Sequence, residues 1–326
     1  MKRSTKAIFV GLASLIMAVA LAGCGSSQPA QDTAKKPEAI HMTYVKSPLN
    51  IPSIVEKKDH VFEDAFKPEG IAIDYSDLDA GPKQTEAMAA GKIDICHALG
   101  GTSAILAKAN GVDLTIVGIY SRAPQAFMIM TKDPSIQSVK DLKGKKVAGP
   151  KGTILHQLLL AALAREGMSP DDVDFVSMGI PQASAALSGG SVDAALLAGP
   201  ATLKMKADGG RVLTTGEGLL DATIVIAMRT DFINQYPDVA KKFMATHARV
   251  VKYYAENPQQ DYAAAAEATG LTIDQVEAMA GWYDFDPAIR EEDIADLEQT
   301  QDFLIQTGML EKDKKIDISS MCKPLI

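Results

Sequence analysis

The chain predicts an α/β protein of two similarly built lobes with a cleft between them, on three grounds. From about Ile40 onward, short apolar runs alternate with helix-period stretches, the pattern of strands and helices taking turns. Two stretches in different halves share one plan, Glu86-Ala87-Met88-Ala89-Ala90-Gly91-Lys92-Ile93-Asp94-Ile95 and Ser184-Ala185-Ala186-Leu187-Ser188-Gly189-Gly190-Ser191-Val192-Asp193-Ala194. Each reads as a helix end, a Gly cap and a strand with Asp near its start. Small residues follow, Gly100-Gly101-Thr102 in one and Gly199-Pro200 in the other. Past a leader and a polar spacer, roughly 290 residues are left, enough for two lobes. Clefts between lobes are where small ligands bind.

The first element is the leader, residues 1–23. Lys2, Arg3 and Lys6 precede an apolar run from about Ala7 to Ala20, closed by Leu21-Ala22-Gly23-Cys24. This is the layout of a secretory signal, and its terminal Cys resembles a bacterial lipoprotein lipobox. Export with Cys24 lipidated is therefore expected. The run is shorter than the ~20 apolar residues of a bilayer-spanning helix. Residues 24–38 have no apolar period and read as a flexible tether. Removal of the leader's three cations takes the net charge from −8 to −11, which argues against nucleic acid as a partner. Backbone N–H groups can still hold an anion locally against that overall sign.

Next come a strand at 40–46, a helix near 53–66, a strand at 71–75 and a helix at 83–90. Gly91, Gly111 and Gly167 stand where helices stop, as the left-handed cap requires. Beyond about Asp231 strands nearly vanish, and 238–256, 259–269, 273–282 and 291–307 read as helices. Asp94 and Asp193 read as hydrogen-bonded structural residues. Of the three Cys, Cys96 lies in an apolar strand and Cys322 in the C-terminal tail. A bridge between them is open in an oxidising compartment, but a buried free thiol is the favoured reading. No Cys/His spacing suggests a zinc site, and no cofactor is implied.

The sharpest local feature is Lys145-Lys146-Val147-Ala148-Gly149-Pro150-Lys151-Gly152-Thr153, followed by a helix from Ile154 to Glu166. Gly152 permits a tight turn and Thr153 is placed to cap the helix. The free N–H groups of the first turn then face whatever lies beyond the strand, and His156 falls in the same turn. The other lobe offers a parallel arrangement, with a strand from Ile93 to Ala98, then Gly100-Gly101-Thr102, then a helix ending near Asn110. Two helix starts facing one cleft can hold an anion without a buried Lys or Arg. Dipole attraction contributes about 0.3–1 kcal/mol per terminus, and hydrogen bonds to a charged group about 1.5–3 kcal/mol each. After the cost of association, four or five such bonds reach the roughly 8 kcal/mol of micromolar binding.

Catalytic readings fare worse. The stretch from Gly144 to Thr153 lacks the Gly-Lys-Ser/Thr of a phosphate loop. There is no Gly-x-Ser-x-Gly and no His-Glu-x-x-His. The five His are scattered, and Cys96 and His97, adjacent in a strand, point to opposite faces.

Several phrases in order are familiar: Ala80-Gly81-Pro82, Ala90-Gly91-Lys92-Ile93-Asp94, the run from Ser138 to Ala148, Lys151-Gly152-Thr153 with His156, Gly190-Ser191-Val192-Asp193-Ala194, and Pro200. On these residues the chain resembles the solute-binding proteins of ABC importers for aliphatic sulfonates, taurine and nitrate, a family that also includes binders of thiamine-pyrimidine precursors. The resemblance covers nearly all of the mature chain. It implies a type II periplasmic-binding-protein fold, two α/β lobes joined by two crossing strands near 126–130 and 223–228. Lobe 1 would be 40–124 plus 229–326, and lobe 2, with the hinge strands, 125–228. The ligand contacts it implies are Lys46, Ser47 and Pro48, Gly81, Gly100, Gly101 and Thr102, Gly152, Thr153 and His156, and Gly199 with Pro200.

Sulfonate binders often carry a hydroxyl pair where this chain has Thr153-Ile154, and an aromatic and an acid where it has Ala198-Gly199. A roomier, more apolar pocket for a larger or only partly ionic solute is expected. The Cys-rich element of the thiamine-precursor synthases is missing, which disfavours that enzymatic branch. The expected protein is a monomer anchored to the membrane through Cys24 on the extracytoplasmic side. It captures a small organic anion and delivers it to an ABC permease and its ATPase. The alternatives are a ligand-presenting sensor lipoprotein and an exported hydrolase.

Overall fold

The structure, a computed structural model, describes residues 35–326. The leader, Cys24 and the tether up to residue 34 lie outside the described residues. Ten strands follow: β1 (Ala39–Tyr44), β2 (Ala72–Asp77), β3 (Ile95–Gly100), β4 (Leu114–Arg122), β5 (Phe127–Thr131), β6 (Lys146–Gly149), β7 (Asp174–Ser177), β8 (Ala194–Ala198), β9 (Arg211–Thr215) and β10 (Thr223–Arg229). They form two five-stranded sheets, ordered β2-β1-β3-β10-β4 and β7-β6-β8-β5-β9.

The two sheets have one plan. In the first, β1 runs parallel to β2 and β3, and β10 lies antiparallel between β3 and β4. In the second, β6 runs parallel to β7 and β8, and β5 lies antiparallel between β8 and β9. The shared sequence plan falls at matching places, because Asp94 stands just ahead of β3 and Asp193 just ahead of β8. The Asp94 carboxylate accepts the N–H of His41 in β1 at 2.9 Å, and that of Asp193 accepts the N–H of Lys146 in β6 at 2.7 Å. Each thereby ties the start of one parallel strand to its neighbour.

The chain passes between the sheets through residues 123–126 and 216–222, which are not strands of either sheet. Both stretches expected as crossing strands are instead paired within a single sheet, β5 in the second and β10 in the first. The stretch 223–228, expected as a hinge strand grouped with the second lobe, bonds as β10 to β3 and β4 of the first sheet along its length. The helix expected near 53–66 is two helices, Ile51–Lys58 and Val61–Phe66. They are broken at His60, whose φ of 54° is left-handed, a region that His tolerates better than most side chains.

After β10 the described chain is helical, with Pro237–Glu256, Pro258–Thr269, Ile273–Ala280 and Glu291–Gln306 close to the expected ranges. Apolar side chains fill both sides of the sheets, with Phe62, Phe66, Tyr120 and Phe243 fully buried beside the first and Leu158, Leu159, Leu163 and Leu196 beside the second. Cys96 and Cys322 are both free thiols. Burial pushes the Cys322 thiol up to about 11. Among the described residues, no helix is long and apolar enough to cross a membrane.

Candidate functional site

Six parallel strands end at one place. β1, β2 and β3 of the first sheet lead into helices Ile51–Lys58, Gly81–Ala89 and Gly101–Ala109; β6, β7 and β8 of the second lead into Ile154–Arg165, Ile180–Ser188 and Pro200–Ala207. Residues at the starts of all six helices line a single cleft of about 880 Å³ between the sheets. Ligands of open α/β sheets sit beyond the carboxyl ends of the strands, and here two such edges face each other.

None of the six helices has a side-chain cap. In five of them, first-turn N–H groups without intrahelical partners and the positive ends of the helix dipoles are offered to the cleft; in Ile51–Lys58 the Ile51 N–H goes to the Leu49 carbonyl, Pro52 has none and the Ser53 N–H goes to Tyr120 Oη. Thr153 stands at the cap position, yet its hydroxyl donates to the Pro150 carbonyl at 2.8 Å. The hydroxyl of Ser103 donates to the Gly152 carbonyl at 2.8 Å, joining the helix that follows β3 to the turn that follows β6. Two polar side chains in the wall are committed as well. The Gln84 amide donates to the Ala98 carbonyl at 3.2 Å, and the Asn50 amide donates to the carbonyls of Val45 at 2.9 Å and Ser47 at 3.2 Å.

Charge is confined to exposed positions, where Lys83, Lys151, Lys204, Asp79 and Asp208 line the cleft. Lys83 lies 4.0 Å from Asp79. The remaining wall is largely apolar, with Phe127, Ile154, Leu155, Met178, Ile180 and Ile224.

Of the residues singled out in the sequence, Ser47, Pro48, Gly81, Gly100, Thr153 and Pro200 line this cleft; Lys46, Gly101, Thr102, Gly152, His156 and Gly199 do not. The reasons are local. Thr102 is buried and its hydroxyl donates to Gln157, whose amide in turn donates to Thr300 at 3.0 Å. Gly101 backs onto Leu297 and the Thr223 carbonyl. His156 is buried against Phe175, ring centroids 4.5 Å apart, and its Nδ1 faces the Gly152 N–H at 3.5 Å. Burial, with the Lys151 charge adding to it, pushes the imidazole down to about 4, so the ring is neutral at physiological pH. Gly199 is buried beneath Pro48. Gly152 forms the turn itself at φ 73°, and Lys46 is an exposed loop residue.

Sequence reasoning missed the segment from Ser177 to Ser188, which forms much of the second-sheet wall, along with Asn50, Gln84 and Ser103. The signal for the segment was present: Val176-Ser177-Met178-Gly179-Ile180-Pro181 is a strand end followed by Gly and a helix-starting Pro. Buried Gln84 and Ser103 carry no such local mark. Among the described residues, one group of three His and acidic side chains is close enough to share an ion. It consists of Glu56, His97 and His247, and it lies away from the cleft.

Two α/β halves that each turn the carboxyl edge of a sheet toward a shared cleft define the periplasmic-binding-protein fold. The chain belongs to the NMT1/THI5-like family, which matches it over residues 64–261. It is 30% identical over 306 residues to an aliphatic sulfonates-binding protein of Bacillus subtilis (strain 168), covering 92% of this chain and 90% of that one. It is 28% identical over 228 residues to the taurine-binding periplasmic protein of Escherichia coli (strain K12), 68% of each chain. Its fold matches the alkanesulfonate-binding protein SsuA from Xanthomonas axonopodis pv. citri bound to MOPS, with a TM-score of 0.81, 25% identity, and coverage of 89% of this chain and 100% of that one. These relatives are binding proteins.

Proposed function

We propose that the chain is the extracytoplasmic solute-binding component of an ABC importer, anchored through lipid on Cys24, that takes a sulfonate-type organic anion and hands it to a permease driven by its ATPase. The observation that carries this reading is the convergence of six helix starts on one cleft, five of them offering first-turn N–H groups. A sulfonate has three acceptor oxygens and one delocalised charge, and converging backbone N–H groups satisfy such a head from several sides. The hydroxyls of Thr102 and Thr153 are already engaged within the protein, so backbone amides, with the hydroxyls of Ser47, Ser177 and Ser184 in the cleft wall, supply the donors. Exposed Lys83, Lys151 and Lys204 raise the local anion concentration against a net negative chain. The apolar wall from Phe127 to Ile180 gives the organic tail a surface to bury, at about 25 cal/mol per Å². Ligand contacts drawn from both halves favour the closed arrangement, which is how binding becomes a signal that a permease can read.

Calorimetry of the purified protein against short and bulky alkanesulfonates, the matching carboxylates, nitrate and neutral heterocycles tests the reading. The expected result is micromolar or tighter binding of a sulfonate, at least tenfold weaker binding of its carboxylate counterpart, and recovery of the solute unchanged. Failure of every sulfonate to bind, or conversion of the bound solute into product, overturns it.

A further inference from the structure

Glu56, His97 and His247 come from three separate elements, the helix Ile51–Lys58, strand β3 and the helix Pro237–Glu256. They meet in the interior of the first half, with side chains no more than 2% exposed. His247 Nδ1 lies 2.7 Å from Glu56 Oε1, His97 Nε2 lies 3.2 Å from His247 Nδ1, and His97 Nε2 lies 3.5 Å from Glu56 Oε2. Two ring nitrogens and the two oxygens of one carboxylate thus face one another with no Lys or Arg paired to them. We propose that these three side chains bind one divalent transition metal ion of the zinc type, a site separate from the solute cleft and independent of what the cleft binds.

Three observations support the assignment. The first is spacing: zinc bonds of about 2.0–2.1 Å at tetrahedral angles put ligand atoms about 3.3 Å apart, close to the 3.2 Å between the two ring nitrogens and the 3.5 Å from His97 Nε2 to Glu56 Oε2, while the 2.7 Å contact joins His247 Nδ1 to the other carboxylate oxygen. The second is unmet demand. Glu56 Oε2 is buried without a hydrogen-bond partner, and a carboxylate held away from water needs a cation or a proton. A metal bonded to this oxygen, His97 Nε2 and His247 Nδ1 supplies that partner and puts the His247 ring proton on Nε2, which is buried without a partner of its own. The third is support around the site. Ser53 Oγ lies 3.2 Å from His97 Nδ1 and donates to Tyr120 Oη at 2.9 Å, which leaves Nε2 as the ligating nitrogen of His97. Edge-on contacts with Phe62, Tyr120 and Phe243 hold the His97 ring in that orientation.

Two His and one carboxylate form a zinc donor set with a fourth position for a solvent molecule, and cobalt(II) suits the same donors. Because the ligands lie 41 and 150 residues apart in sequence, the site has none of the short spacings by which metal motifs are read. Its placement gives it a structural role: it would bind β3, whose Gly100 end lines the cleft, to the helix that begins there and to the long helix behind. Metal binding of this kind adds to folding stability.

The test is to unfold the purified protein in chelator, refold it with either chelator, zinc chloride or cobalt(II) chloride, and desalt it. One zinc per chain retained against dilute chelator is expected. So are a melting temperature raised by about 4 °C or more over the metal-free protein and visible bands of four-coordinate cobalt. His247→Gln and Glu56→Gln should each lose the retained ion and the bands, whereas His41→Asn, which removes the exposed His beside Asp74 and Asp94, should keep both. If the native protein refolds and retains no ion, the proposal fails. Retention by a folded His247→Gln variant as complete as that of the native protein overturns it equally. Should the variants not fold, the cobalt spectrum of the native protein decides, and absence of four-coordinate bands overturns the assignment.

Discussion

Gly100 and Gly199 occupy matching places in the two halves, each between the third parallel strand and the helix that begins at the cleft, yet only one of them has to be glycine. Gly100 has φ −60° and ψ 133°, open to any residue, and a Cβ there would meet the Ile154 side chain at 3.2 Å. Gly199 has φ 59° and ψ −137°, a region essentially reserved for glycine. A Cβ on it would overlap the Pro48 carbonyl of the opposite half. Topology decides which residues reach the cleft; contacts across it decide which of them are irreplaceable.

The comparison is broken if the two glycines respond alike to alanine. Gly199→Ala has to relieve both a left-handed backbone and a backbone clash between the halves. We expect a loss of about 3 kcal/mol or more in stability or in closure, read as at least a hundredfold weaker solute binding by calorimetry. Gly100→Ala meets only a flexible side-chain tip and is expected to stay within about tenfold. Equal losses would show that the halves do not press together at Pro48 when solute is bound.

Asp94 and Asp193 sharpen the comparison at the opposite ends of the strands. Both accept a neighbouring strand's N–H, but Asp94 is buried and also meets the Arg229 guanidinium at 3.0 Å, whereas Asp193 is half-buried and has no such ion pair among the described residues. Removal of Asp94 leaves the His41 N–H unpaired and Arg229 with only Asp231, at 3.3 Å, as its carboxylate. Asp94→Ala should cost about 2–3 kcal/mol, and Asp193→Ala about 1 kcal/mol, as measured by denaturant unfolding. A larger cost for Asp193 would reverse the ranking that burial imposes.

Much of this was written locally in the chain. Alternating strands and helices, the Gly stops and the doubled helix-Gly-strand-Asp plan are short-range marks, and the matching roles of Asp94 and Asp193 follow from that plan. The helix starts at Gly81, Gly100 and Thr153 were legible for the same reason, since small residues after a strand are a local feature. What could not be read is which way a side chain turns once long-range partners arrive. His156 falls in the first turn of a cleft helix and packs on Phe175, 19 residues on. Thr102 gives its hydroxyl to Gln157, 55 residues away. The strand directions near the crossings likewise depend on ladders closed across the whole chain, which is why 223–228, expected as a crossing strand, pairs instead within the first sheet.

The last expected effect is one of pH and concerns the helix Glu291–Gln306, from the all-helical end of the chain that packs with the first half. Its Asp296 sits beside the second crossing segment and accepts the Thr223 hydroxyl at 2.6 Å. Burial, reinforced by the nearby Asp221 and Asp293, pushes its carboxyl up to about 6, while the Thr223 hydrogen bond pulls the other way. A carboxyl whose folded value lies above its unfolded one binds more protons in the native state, so its contribution to stability is full below about pH 4 and is lost as pH rises through about 6. Asp296→Asn keeps the shape and removes the titration. The difference in unfolding free energy between native protein and variant should therefore shift by on the order of 2 kcal/mol between pH 4 and pH 7, with the native protein relatively more stable at the acid end. Urea unfolding of both proteins at a series of pH values measures this difference directly. A flat difference across that window would mean that water reaches Asp296 in solution, and that the contact between this helix and the crossing segment is looser than the buried carboxyl implies.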